Sequence, residues 1–144
     1  RPVSYWRDPH GDIRMATEPL DAQDLLKAAE GTAWAGFPQG GIVGHVHLQV
    51  GDTAEAEGFY RDVLGFEVAS RYPGASFFGS GGYHHQLAGN VWNSRGAGQR
   101  DPSGAGLAGI VLRVAPSERD ALLRRTGGAR RLADPWGTAI VLAG

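Results

Sequence analysis

Residues Gly44-His45-Val46-His47-Leu48-Gln49-Val50 alternate polar and apolar side chains, and the stretch that follows changes period. Successive side chains of an extended segment point to opposite sides. His45, His47 and Gln49 therefore share one face, and Val46, Leu48 and Val50 share the other. The apolar face must be covered. Ala56, Phe59, Val63 and Leu64 recur at helical spacing in the next segment and supply a cover. The pattern calls for a sheet with one face packed beneath a helix and one polar, histidine-bearing face left open.

Around this pair the spacing predicts a strand over 43–50, a helix over 53–64, and strands over 66–72, 75–80 and 83–88. Asp52, with Glu55 three residues on, reads as a capping box, and Gly65 as the C-terminal cap. The theme restarts with a strand over 107–114, a helix over 117–125, the turn Asp134-Pro135-Trp136-Gly137 and a strand over 138–143. Setting Leu48-Gln49-Val50 on Leu112-Arg113-Val114 aligns the two helices without a gap, which marks a degenerate internal repeat. The interval between Arg125 and Asp134 is too short for two full strands, so the second copy is clipped.

The expected fold class is α+β. Paired strand-helix-strand-strand-strand modules, at about 42–95 and 106–144, curl into an open cup of eight or slightly fewer strands, with helices outside and the polar face inside. Residues 1–41 form a lead-in. Its first part, 1–18, is broken by Pro2, Asp8-Pro9 and Gly11; a helix over 21–31 starts at Asp21 and stops at Gly31; a linker with Trp34, Phe37 and Pro38 follows.

The 144 residues suit one ordinary domain, and 42% hydrophobic with 20% charged residues is the balance of a globular protein. Fourteen basic against fifteen acidic residues leave no excess positive charge to recruit nucleic acid or an anionic membrane. With no cysteine, a disulfide framework and a thiolate metal site are excluded, and a reducing cytoplasm is the expected location. No apolar run reaches membrane-spanning length, and no signal-peptide layout opens the chain. Gly79-Ser80-Gly81-Gly82 precedes a strand and lacks the helix N-terminus a phosphate loop needs. No nucleophile elbow or metalloprotease helix is present, which argues against a hydrolase.

Gly44-His45-Val46-His47-Leu48 with Phe59-Tyr60-Arg61-Asp62-Val63-Leu64-Gly65-Phe66 resembles the vicinal oxygen chelate superfamily of glyoxalases, bleomycin-resistance proteins and extradiol dioxygenases. Gly81-Gly82-Tyr83-His84-His85-Gln86 with Asn90-Val91-Trp92-Asn93 is similar to the C-terminal half of bacterial catechol-2,3-dioxygenase-like proteins. So is Met15-Ala16-Thr17-Glu18-Pro19-Leu20-Asp21 with Leu25-Leu26. In those proteins a first pair of modules precedes an Arg-Pro-containing linker, here Arg1-Pro2 through Trp6-Arg7. The resemblance thus implies a preceding half absent from this chain, or alternatively a homodimer.

The resemblance implies one divalent metal on the inner face of the cup, held from the first and last strands of each module. His45 matches the first-strand histidine, and the fourth-strand ligand falls at Gln86, with His84 two residues earlier on the same face. In the second module the corresponding positions are Gly109 and Val141, so both ligands are missing there. The expected metal set is therefore His45, His84 and Gln86. The ion would be Fe(II), with Mn, Zn or Ni as alternatives, or none.

Catalytic candidates are His47, His85 and Tyr83, although strand parity turns His85 to the opposite face. The implied activity is extradiol cleavage of a small aromatic or catecholic substrate. A non-catalytic, bleomycin-resistance type of sequestering protein is the alternative, and a glyoxalase-type lyase or isomerase the third reading.

Overall fold

Strand β1 (Val46–Gln49) shows the expected alternation: Leu48 is buried while His47 and Gln49 are exposed. Val50, just beyond the strand, is fully buried. This is a computed structural model, and it describes residues 5–13, 15 and 19–144. The chain then turns into helix α2 (Thr53–Glu57), whose N-terminus is capped by Asp52, the carboxylate accepting the Glu55 backbone N–H at 2.8 Å. That cap satisfies one of the donors a helix start leaves without an internal partner.

The helix does not run on as α to residue 64. It widens into a π-helical segment, Gly58–Val63. The buried positions along it are Ala56, Tyr60 and Leu64, spaced by four, whereas Phe59 and Val63 are only half-buried. A spacing of four outruns the 3.6 residues of an α-turn, and the wider π-turn keeps all three side chains aimed at the sheet. Phe59, expected in that stripe, packs against the core while half-buried, and Tyr60 takes the fully buried position, its ring 5.1 Å from that of Phe78.

Strands β2 (Glu67–Tyr72), β3 (Ala75–Gly79) and β4 (Leu87–Asn90) complete a four-stranded sheet in the order β1-β4-β3-β2. Here β1 and β4 are parallel neighbours and the other pairs antiparallel. The second module repeats this with one strand fewer. Strand β5 (Gly109–Arg113), helix α3 (Pro116–Arg125), and strands β6 (Arg131–Ala133) and β7 (Ala139–Ala143) give a three-stranded sheet ordered β5-β7-β6. Its first and last strands are again parallel, and the counterpart of β2 is the one missing. The α+β class, the repeat and the clipped second copy are as expected. The strands form two separate sheets with no closed barrel.

One apolar core joins the modules, with Leu48, Tyr60 and Phe78 packed together with Leu122, Trp136 and Ile140. Polar ties cross it too. The Tyr60 hydroxyl donates to Asp134 Oδ2 at 2.7 Å, fully inside the protein. Asp134 Oδ1 accepts the backbone N–H groups of Trp136 and Thr138, and the Trp136 indole donates to Ala97 O at 3.0 Å.

Two boundaries bear on the histidines. Strand β1 starts at Val46, leaving His45 at its entrance, and the strand expected over 83–88 starts only at Leu87. In the lead-in, α1 (Ala22–Ala28) is capped by Asp21 and buries none of its residues. The Arg1-Pro2 pair and Ala16-Thr17-Glu18 lie outside the described residues. Among the described residues no helix is long and apolar enough to cross a membrane.

Candidate metal centre

Gly81 and Gly82 take φ values of +63° and +74°. Both lie in the left-handed region that glycine enters without a Cβ penalty. The bend they make is locked by Gln86, whose carboxamide accepts the Ser80 N–H at 2.9 Å and donates to Ser80 O at 3.3 Å. The Gln86 backbone meanwhile joins two strands, its N–H donating to Phe78 O and its C=O accepting from Val46 N. Residues 83–86 therefore bend onto the sheet rather than alternate along it.

The bend corrects the parity argument for His85. Instead of pointing away, its ring lies 4.4 Å from that of His45 and 4.5 Å from that of His84. His45, His84 and His85 bring one ligand nitrogen each within 4.8 Å of one another, the one such group among the described residues. Gln86, expected as a ligand, spends its side chain on Ser80, and the third nitrogen of the group comes from His85. His47 is one step along the same face, 5.1 Å from His45 and 5.6 Å from His85 between ring centres. Phe77 closes the floor at 5.0 Å from His85, and Tyr83 lies 4.5 Å from His84.

His85 is only 3% exposed. Neither of its ring nitrogens has a hydrogen-bond partner in the protein, and His84 Nδ1 is likewise buried without one. Leaving such groups unpaired is costly, so their convergence points to something that binds there. Burial, and then the neighbouring His45, His84 and His47, push His85 down to about 4. Burial first and His45 second also lower His84 and His47. These shifts favour, for His47, His84 and His85, the neutral imidazole form that ligates metal. The fit is near but open: nitrogen ligands sharing one ion stand about 3.3 Å apart, so nitrogens within 4.8 Å of one another would have to draw together by up to about 1.5 Å to hold one.

The second module adds no ligand. A side chain at Gly109 would meet Ala139 O at 2.9 Å, and Val141 pairs in register with Val111 on one side and Arg131 on the other. Two features escaped the sequence reading. The bend that recruits His85 was signalled by the Gly81-Gly82 pair. The approach of Trp6, 4.2 Å from His84 between ring centres, left no local signal.

Residues 42–119 match the sequence profile of the Glyoxalase/Bleomycin resistance protein/Dioxygenase superfamily. The chain is 41% identical over 110 residues to a catechol-2,3-dioxygenase of Bacillus subtilis (strain 168), an alignment covering 74% of this chain and 39% of that protein. It therefore spans about two fifths of that relative's length. Among solved structures, it is similar in fold to a glyoxylase/bleomycin resistance protein/dioxygenase domain from Frankia sp. EAN1pec. That likeness has 21% identity and a TM-score of 0.53, covering 71% of this chain and 95% of that one. A protein of the same description from Alicyclobacillus acidocaldarius gives 22% identity and a TM-score of 0.50, covering 70% and 89%. With the strand-helix repeat and the profile match in agreement, the chain belongs to the Glyoxalase/Bleomycin resistance protein/Dioxygenase superfamily.

Proposed function

We propose that this chain carries the metal-binding part of an extradiol, catechol-2,3-dioxygenase-like enzyme, with His45, His84 and His85 as ligands. The observation that carries the reading is the set of buried, unpartnered nitrogens on His84 and His85 beside His45. The likeness to a protein named catechol-2,3-dioxygenase supports the substrate class. When bound, a divalent ion supplies Lewis acidity toward the vicinal oxygens of a catechol and, if it is Fe(II), the redox partner for dioxygen. His47, exposed at the rim and lowered by burial, takes a proton from the substrate hydroxyl. Phe77 and Tyr83 line the face and favour a flat ring. Gln86 fixes the bend through Ser80 and serves the site from behind.

The test is purification without chelator, metal analysis, and anaerobic reloading with Fe(II) followed by oxygen uptake on catechol. Stoichiometric iron with uptake that His85→Ala abolishes supports the reading. Failure of the wild-type chain to retain any of Fe, Mn, Zn or Ni sinks it. A second reading, sequestration of an aromatic small molecule without chemistry, is favoured by the lack of any ligand at Gly109 and Val141. A metal-free protein that still binds aromatics would support it.

A further inference from the structure

The lead-in is tied to the histidine face at two points. Arg7 bridges Ile13 in a small hairpin whose turn is held by Asp8, its Oδ1 accepting the N–H groups of His10 and Asp12 at 2.9 and 3.0 Å. The Arg7 guanidinium donates to Gly11 O within the hairpin and reaches Gly82 O, at 3.5 Å, on the bend that carries the histidines. Beyond the hairpin, Met15 packs on Ala75, Phe77 and Ala88, the apolar patch beneath His85. Next to the first anchor, the Trp6 indole lies 4.2 Å from the His84 ring, tilted by 59°, and 5.0 Å from Tyr83, edge-on at 88°.

The His84 ring thus has both Trp6 and His85 as ring neighbours, at 4.2 and 4.5 Å, with its Nδ1 buried and unpartnered. An imidazole on a bend has rotamer freedom to lose when it binds an ion. A fixed neighbouring ring removes that freedom beforehand.

We propose that Trp6 is a positioning residue of the metal centre: the lead-in straps across the histidine bend, and the indole fixes the His84 ring for ligation. The inference rests on the metal-binding reading above. It assigns a role in the site to a segment that comes before the repeat and is joined to it by these contacts.

The test compares wild type with Trp6→Phe and Trp6→Ala, each checked for folding by circular dichroism. Co(II) and Zn(II) affinities are measured by competition with a chromophoric chelator, and tryptophan emission is followed during Co(II) titration. Trp6→Ala is expected to lose about tenfold or more in affinity, the scale of outer-shell changes, while Trp6→Phe, which keeps an aromatic ring against His84, stays within about threefold. Co(II) should quench wild-type emission but leave that of Trp6→Phe, with only Trp34, Trp92 and Trp136, largely unchanged. Wild-type binding that is unaltered in folded Trp6→Ala, or equal quenching in Trp6→Phe, overturns this inference alone. Absence of binding in wild type overturns it together with the metal-binding reading.

Discussion

The two modules share a topology and differ in what their open faces carry. In the first, the bend before β4 brings two histidines to meet a third at the entrance of β1. In the second, the matching strands carry Gly109, Val111, Ala139 and Val141 on that face, and Val111 is 64% exposed. The helix-covered sides, by contrast, merge into one core. Burial of apolar surface therefore accounts for the repeat as a whole, whereas the histidine cluster depends on one bend that the second copy lacks. A fold can be duplicated while its site is kept once.

The sharpest way to break this comparison is at the joint. Asp134→Ala strips the Tyr60 hydroxyl and two backbone N–H groups of their buried acceptor. We expect a loss of about 3–5 kcal/mol, read by urea unfolding; a loss under about 1 kcal/mol would mean the modules are held by apolar packing alone.

His85→Ala tests the asymmetry itself. It should weaken Zn(II) binding by more than about 100-fold, beyond the usual range for outer-shell changes, whereas Val141→Ala in the other module should leave affinity unchanged. Equal effects would erase the distinction between the two faces.

Tyr60→Phe removes one donor and leaves Asp134 Oδ2 without it, for an expected cost of about 1–3 kcal/mol by the same unfolding assay.

pH sharpens the comparison further. His85, surrounded by His45, His47, His84 and Phe77, is lowered to about 4 in the folded protein. Unfolded, it returns to an ordinary value near 6.5 and takes up its proton first. Its neutral burial thus favours folding fully above about pH 6.5, and that advantage is lost as pH falls toward 4. Metal-free protein should lose stability across this window, and His85→Phe should flatten the decline. A decline of the same size in both proteins would contradict the assignment.

The smallest effect is expected at Arg71→Ala. Arg71 is exposed and makes a bidentate pair with Glu57 at 2.8 and 2.7 Å. Its hydrogen bond holds the Glu57 carboxyl below the usual range while burial pulls the other way. Solvent screening keeps the loss small, measurable as a slight shift in the urea midpoint.

The legible parts of the molecule were those that follow from periodicity. Alternation in 44–50 and the Asp52 cap announced the strand and helix, and the gapless alignment of the two copies announced the repeat. The helix stripe was legible in Ala56, Phe59 and Leu64 but not in Tyr60, whose burial goes with the π-turn and with its contacts to Phe78 and Asp134 rather than with local spacing. His85 was assigned to the wrong side for a related reason: parity holds only while the chain stays extended, and Gly81-Gly82 with the Gln86 clamp bends it.

The order of residues alone therefore determined which side of β1 is oily, where the helices begin, and that histidines dominate the uncovered face, since each of these depends on neighbours a few positions away. Only the tertiary structure decided which three imidazoles converge, that Gln86 is occupied elsewhere, and that Trp6 rests against His84. Those outcomes depend on contacts between segments distant in the chain, and no local period encodes the distance between two loops.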